Sequence, residues 1–230
     1  MKVIKTMMVV ILLSVVLSIP SRVIANDDAS NYLVYESTDM AAYTEMNIDI
    51  VNTTIVIQLG EQYSIDVYLS QDDLEFEELF NIDNNNGRLT IAEKDWKNTV
   101  KSILLNVKSH FIITVPEMNE LVANIEFING EITINNEIKE LTLDYVNGDT
   151  NLFGKDAYPM DIEFINGDVM LEFGRYDADI NIEFINGNLN FFGDKSSSRL
   201  SAFKRMTGER THTINIDAVN GSVTIVEQAR

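Results

Sequence analysis

The chain of 230 residues contains no cysteine, and this absence removes several kinds of protein from consideration. Disulfide bonds cannot hold the fold together. A lipid-modified N-terminus of the bacterial lipoprotein kind is also excluded, because that modification requires a cysteine. The sequence does not predict a zinc site either, since its two histidines, His110 and His212, are not at ligand spacing.

Basic residues are also scarce: 17 Lys and Arg stand against 36 Asp and Glu, for a net charge of −19. Three of the basic residues (Lys2, Lys5 and Arg22) and none of the acids fall within 1–25, so residues 26–230 carry 14 against 36, or −22. Such a surface repels nucleic acid and anionic lipid, and we expect no nucleic-acid partner. An apolar content of 45% excludes a disordered acidic tail.

Long apolar runs are absent except at the start of the chain. There, two lysines in MKVIK precede the run MMVVILLSVVLSI and the small-residue pattern SRVIA, which is typical of a signal peptide. We expect residues 1–25 to be a signal peptide cleaved after Ala25. A retained anchor is the alternative, but the run is shorter than the roughly 20 residues that span a bilayer. No membrane span is predicted in the mature chain 26–230.

A repeated hexapeptide is the main positive signal. IEFING occurs at 125–130, 162–167 and 182–187, and LDYVNG, IDAVNG and IDIVNT are related to it at 143–148, 216–221 and 48–53. From Asn129 onward the motif asparagines follow one another after 18, 19, 20 and 34 residues. A period near 20 residues is typical of a stacked-repeat architecture, and the longer gap predicts two periods with a degenerate turn between them.

Within each repeat, apolar and polar residues alternate with a period of two. Ile125, Phe127 and Ile132 are apolar, whereas Glu126 and Glu131 between them are acidic. This pattern predicts half-buried strands and an all-β fold, with the repeated phenylalanines in the interior. No stretch after residue 25 has a convincing helical period. SQDDLEFEELF (70–80) is compatible with one helical turn, but we interpret it as a charged loop.

Two architectures satisfy the repeats. In a single-domain β-solenoid of roughly 20-residue coils, Asn-Gly marks a corner of each coil. In an antiparallel β-hairpin meander, Asn-Gly closes each hairpin and pairs Phe127 with Ile132. The near-constant period favours the solenoid, with irregular N-terminal coils to about residue 115 and regular coils over 119–226. The predicted structural turns are Asn129, Gly130, Asn147, Gly148, Asn166, Gly167, Asn186, Gly187, Asn220 and Gly221.

Three stretches carry a family resemblance: IITVPEMNELVANIEFINGEITI (112–134), the NGD repeats after it, and INIDAVNGSVTI (214–225). They resemble the bacterial putative-adhesin domain, a family of exported or surface β-solenoids. Weaker agreement begins near Tyr35, so the resemblance covers almost all of the mature chain. It implies a β-helical fold outside the cytoplasm and, in some members, a part in cell-envelope stress signalling. It implies no catalytic residues.

An acid stands three residues before the asparagine of each of the six hexapeptide motifs, and also before Asn86 of the further Asn-Gly at 86–87. The seven are Asp49, Asp83, Glu126, Asp144, Glu163, Glu183 and Asp217. In a solenoid they would form a column with steps of about 4.8 Å, and the surface-charge default favours a solvated acidic face. The alternative hypothesis is a cation column, which would relieve the mutual repulsion. Its candidate ligands are Glu126, Asp144, Glu163 and Glu183, and the ion they would take is calcium.

These observations predict a non-catalytic, adhesin-like binding protein that is secreted or held in the cell envelope. We expect its partner to be a cell-wall or surface component. A sensor or accessory protein in envelope-stress signalling, perceiving cations and bound to a signalling partner, is the second hypothesis. A polysaccharide-active β-helix enzyme is the third. An acid in every repeat favours periodic binding, because glycosidases use one special carboxylate pair.

Overall fold

A computed structural model describes residues 32–38, 40–71, 75–94, 107–207 and 212–227. The predicted signal peptide lies outside these ranges. The fold is all-β, as predicted, and its strands form one 12-stranded sheet. The strands are β1 Tyr32–Ser37, β2 Glu45–Leu59, β3 Ser64–Leu69, β4 Phe80–Asn85, β5 Arg88–Glu93, β6 Ser109–Val115, β7 Val122–Asn135, β8 Glu140–Asp156, β9 Met160–Arg175, β10 Ala178–Phe191, β11 Asp194–Met206 and β12 His212–Glu227.

The centre of the sheet is a parallel ladder of six long strands in the order β2-β7-β8-β9-β12-β10. Neighbouring strands pair in register, so that equivalent repeat positions lie side by side. Asn129, for example, pairs with Asn52 on one side and Asn147 on the other. The Asn-Gly dipeptides of these strands therefore lie mid-strand, and Phe127 pairs with Tyr145 across strands instead of with Ile132 in a hairpin.

The core lies on the face that the alternation predicts. Ile125 and Ile132 are fully buried. The repeated aromatic position forms an interior stack: ring centroids are 4.8 Å apart for Phe127 and Tyr145, and 5.1 Å apart for Tyr145 and Phe164. Ala218 takes the next place in this column, ahead of Phe184. The prediction that these phenylalanines are interior is confirmed.

Antiparallel strands close both ends of the parallel ladder. β5 and β6 pair with the two halves of β2, and β4 and β3 then add to them antiparallel, with β1 beyond β3. At the other end, β11 folds back on β10 through a turn at Phe192–Gly193. The 34-residue gap before Asn220 therefore holds an antiparallel strand, where we predicted a degenerate coil.

Two local predictions are wrong. Asn86–Gly87 is a hairpin turn between β4 and β5, and Asp83 consequently lies opposite Thr90 and outside the acid alignment. The segment 70–80, predicted as a loop, contains a one-turn helix α1 (Phe76–Leu79) whose two end residues are buried. A 3-10 turn at Met118–Glu120 precedes β7. Among the described residues, no helix is long and apolar enough to cross a membrane.

β12 is inserted between β9 and β10, although it follows both in the chain. It pairs in parallel with each over thirteen residue pairs. Only Tyr176 and Asp177 connect β9 to β10. This two-residue link therefore crosses the position in the sheet that β12 occupies. The Tyr176 hydroxyl lies 2.9 Å from the Val226 carbonyl of β12 and 2.8 Å from the Leu171 carbonyl of β9. The link and the inserted strand are thereby joined.

Candidate binding face

Six acids from the parallel strands form one continuous line on the outer face of the ladder, which we call the acid column. In spatial order they are Asp49, Glu126, Asp144, Glu163, Asp217 and Glu183. Of the predicted cation ligands, the register brings Glu126, Asp144 and Glu163 together as neighbours. Glu183 is separated from Glu163 by Asp217, because β12 lies between their strands.

The mutual repulsion expected within the acid column is visible at Asp217. Burial raises the pKa of this carboxyl above its ordinary value, and Glu183, Glu163 and Asp161 raise it further. Within the described ranges, no group of three or more potential ligands is arranged to hold a metal ion. The cation column thus stays a prediction.

A second line of polar residues runs beside the acid column, two positions earlier in each strand. Asn124 donates a hydrogen bond to Asn47 at 3.1 Å, and Asn181 donates to Asn215 at 2.9 Å. Thr142 and Asp161 occupy the two places between these pairs. The outer face therefore carries two neighbouring columns, one of carboxylates and one in which four of the six positions are asparagine.

The motif asparagines form an unbroken chain of side-chain hydrogen bonds, which we call the Asn ladder. Its members in spatial order are Asn52, Asn129, Asn147, Asn166, Asn220 and Asn186. Each amide except that of Asn52, which lies on β2 and accepts from Asn129, donates to the oxygen of the neighbour nearer β2 at 2.8–3.1 Å. Chained hydrogen bonds polarise one another, so the ladder fixes the register of all six strands along one edge of the acidic face.

Four glycines that follow ladder asparagines are required by the close approach of the neighbouring strand: Gly130, Gly148, Gly167 and Gly221. Asn52 is followed by Thr53, and a Cβ on Gly187 would overlap the Phe184 ring of its own strand. A Cβ built on Gly130 would overlap the Thr53 carbonyl oxygen, and one on Gly167 would overlap that of Gly148. The positions predicted as structural turns therefore form a tightly packed backbone column. They belong to the scaffold that positions the acidic face.

An aliphatic column lies between the acid column and the Asn ladder, and sequence reasoning missed it. Its members are Val51, Ile128, Val146, Ile165, Val219 and Ile185. Val51 is buried, the next four are partly exposed, and Ile185 is 49% exposed. The signal was present in the sequence, because the residue before each motif asparagine breaks the strict alternation.

On the other side of the Asn ladder, the Asp149 carboxylate accepts a hydrogen bond from the backbone N–H of Asp168 at 3.0 Å.

Comparison with known proteins gives a structural likeness only. No family model matches the chain, and no curated protein matches it. A solved structure described as a putative cell adhesion protein from Clostridium sporogenes is similar with a TM-score of 0.56 and 17% identity, over 84% of this chain and 99% of that one. A putative adhesin from Bacteroides fragilis matches with a TM-score of 0.33 and 12% identity, over 86% and 99%. At these identities the first match shows a shared fold.

Proposed function

We propose that this chain is a non-catalytic, adhesin-like binding protein, exported to the cell envelope or the medium, that binds a surface component through its acidic face. The observation that carries the proposal is the in-register array of the acid column. Parallel pairing places six carboxylates in a row that a partner with a matching cationic or hydroxyl-bearing repeat can contact at several points at once. Several weak contacts of this kind add through effective concentration. The described likeness to a cell adhesion protein supports the same class of function.

We further propose that the parallel ladder is a β-solenoid. β7 spans 14 residues, and a straight strand of that length would extend for about 43 Å. The chain from Asn135 to Glu140 reaches at most about 19 Å. Since Glu140 pairs in register with Val122 at the start of β7, each strand must bend back on itself within one coil. This geometry supports coils with Asn-Gly at a bend.

A pull-down on whole bacterial cells and purified wall fractions tests the proposed binding. The variant Glu126→Gln/Asp144→Asn/Glu163→Gln neutralises three neighbouring positions of the acid column without changing side-chain shape. Its matched control, Glu61→Gln/Glu77→Gln/Glu117→Gln, removes the same charge from exposed acids outside the parallel strands. We expect the first variant to lose binding and the second to retain it. Equal retention by both would reject the acidic face as the binding surface.

A cation-responsive accessory or sensor protein of envelope-stress signalling is the second candidate function. The observation in its favour is the register that places the six carboxylates of the acid column side by side, because neighbouring carboxylates that repel one another are stabilised by a bound cation. In this role calcium would bind the carboxylates of the acid column and reduce the repulsion between them. The calcium measurement described below separates it from simple adhesion.

A further inference from the structure

Six Asn-Gly dipeptides occur in the sequence, and the structure places them in two unlike environments. Five lie in the middle of parallel strands, with their asparagines in the Asn ladder. The sixth, Asn86–Gly87, forms the turn of the β4–β5 hairpin. This difference matters chemically, because asparagine followed by glycine is intrinsically prone to deamidation.

Deamidation needs freedom at both residues. The backbone nitrogen of the glycine attacks the Cγ of the asparagine and loses its proton, and the side-chain nitrogen leaves as ammonia. Water then opens the resulting succinimide at either carbonyl, giving aspartate or isoaspartate. The net change is the exchange of one water for one ammonia. The asparagine side chain must swing toward its own backbone before the first step.

The Asn ladder opposes that swing. Asn147 donates to Asn129 at 2.9 Å and accepts from Asn166 at 2.8 Å, so both hydrogen bonds must break before its Cγ can move. Its glycine, Gly148, packs against the Gly130 backbone so closely that an added Cβ would overlap it. Reaction at a ladder position therefore requires local opening of the stacked strands.

Asn86 has neither of these restraints. Its glycine is held at the carbonyl, which accepts backbone hydrogen bonds from Thr44 at 3.0 Å and Glu45 at 3.3 Å, and these leave the reacting nitrogen aside. The Asn86 side chain is exposed, and no hydrogen bond to a described residue holds it. Its backbone has a φ of 53°, and the open space around Gly87 leaves nothing within 4 Å of an added Cβ. We propose that Asn86 is the site at which the folded protein deamidates, while the Asn ladder protects the other five Asn-Gly dipeptides.

The product would alter a defined part of the surface. Asn86 borders a cleft of about 340 Å³ that Glu45, Asp83 and Arg88 also line. A new carboxylate there competes for Arg88, which now pairs with Glu45 at 2.8 Å. An isoaspartate would also lengthen the backbone of a two-residue turn. Either product weakens the hairpin beside β2 without entering the Asn ladder.

Peptide mapping by mass spectrometry tests the assignment on the full chain. The protein is incubated folded in mildly alkaline buffer, and in parallel in denaturant, and the amide-to-carboxyl mass change is followed at each of the six sites. In the folded protein we expect Asn86 to convert at least about tenfold faster than any ladder asparagine, which corresponds to about 1.4 kcal/mol of local opening. In denaturant the rates converge. A ladder asparagine that matches Asn86 in the folded protein would overturn the proposal, as would an Asn86 that reacts only after unfolding.

A ladder variant tests the protective mechanism separately. Asn166→Ala removes the hydrogen-bond partner on one side of both Asn147 and Asn220. We expect deamidation of Asn147 and Asn220 to rise several-fold, with Asn86 unchanged, in a protein whose circular dichroism still reports the native sheet. Unchanged rates at Asn147 and Asn220 would reject the ladder as the protecting element.

Discussion

The parallel strands β7, β8 and β9 and the antiparallel hairpin β4–β5 each contain Asn-Gly, yet the dipeptide has a different role in the two regions. In the parallel strands, Asn147 bonds to its counterparts in both neighbours, and Gly148 lets the backbones approach. In the hairpin, Asn86 and Gly87 supply two consecutive positive φ angles, 53° and 76°. The role of Asn-Gly therefore depends on the strands that pair with it, because only copies in neighbouring parallel strands can form the Asn ladder.

The largest expected effect is the difference between substituting a glycine of the parallel strands, Gly167, and the hairpin glycine, Gly87. Gly167→Ala places a Cβ onto the Gly148 carbonyl oxygen, and we expect it to lower the free energy of unfolding by roughly 3 kcal/mol or more. Gly87→Ala meets open space and suffers only the left-handed backbone, costing about 1–2 kcal/mol. Urea denaturation measures both. Equal losses would mean that close packing is not what distinguishes the two regions.

Breaking the Asn ladder at its middle has the next largest effect. Asn147→Ala removes one donated and one accepted hydrogen bond, and we expect a loss of about 1–2 kcal/mol in the free energy of unfolding. Asn188→Ala is the control. Asn188 is an exposed asparagine on the parallel strand β10, but it is not a member of the Asn ladder. Its change should stay within about 0.5 kcal/mol. A comparable loss in the control would contradict the role given to the ladder.

A gain in stability is expected from Thr150→Val. Thr150 is fully buried between Ile132 and Val169, and its hydroxyl lies beside the buried Tyr145 hydroxyl without a hydrogen bond of normal geometry. Replacing it with an apolar side chain of the same shape should stabilise the fold by about 1 kcal/mol. Thr224→Val, at a partly exposed position, is the control and should change little. A loss on Thr150→Val would show that the hydroxyl has a stabilising contact.

The acid column predicts a pH dependence of the opposite sign to that of the hairpin, where the Arg88 hydrogen bond lowers the pKa of Glu45. Because the pKa of Asp217 is raised above its ordinary 3.8, the folded state binds its proton more tightly than the unfolded state does. Stability from this group is therefore present at low pH and is lost as the pH rises through the folded pKa. Asp217→Asn should raise the melting temperature at neutral pH and leave it unchanged below the ordinary pKa. A gain that is the same at every pH would reject the electrostatic cause.

The smallest expected effect is that of calcium. If the acid column takes a cation, calcium should raise the melting temperature by more than sodium chloride of matched ionic strength does. The variant Glu126→Gln/Asp144→Asn/Glu163→Gln should abolish the difference between the two salts. Identical melting temperatures for the native protein in both salts would dispose of the cation column and favour adhesion without an ion.

The structure of one repeat could be predicted well from the sequence, because the alternation of apolar and polar residues is present in each strand. The alternation around Phe127 identifies the buried face, and the period near 20 residues places equivalent positions side by side. The glutamates and aspartates of the acid column follow from the same register. These features depend only on residues within one repeat and on its neighbours.

The order of the strands could not be predicted in the same way. β10 and β12 contain nearly the same motif, NIEFING and NIDAVNG, so the sequence is compatible with either strand pairing with β9. The role of Asn86 was missed for a related reason: its dipeptide is identical to the others, and only the antiparallel partner β5 makes it a hairpin. Tertiary pairing, and not local preference, decides both.

The insertion of β12 also has a consequence for biosynthesis. The ribosome releases β9, β10 and β11 before β12, so the strand that lies between β9 and β10 in the finished sheet is made after both of them. The sheet cannot assemble by simple addition from the first strand to the last. The last described strand in the chain takes a place inside the sheet, between two strands that precede it in the sequence.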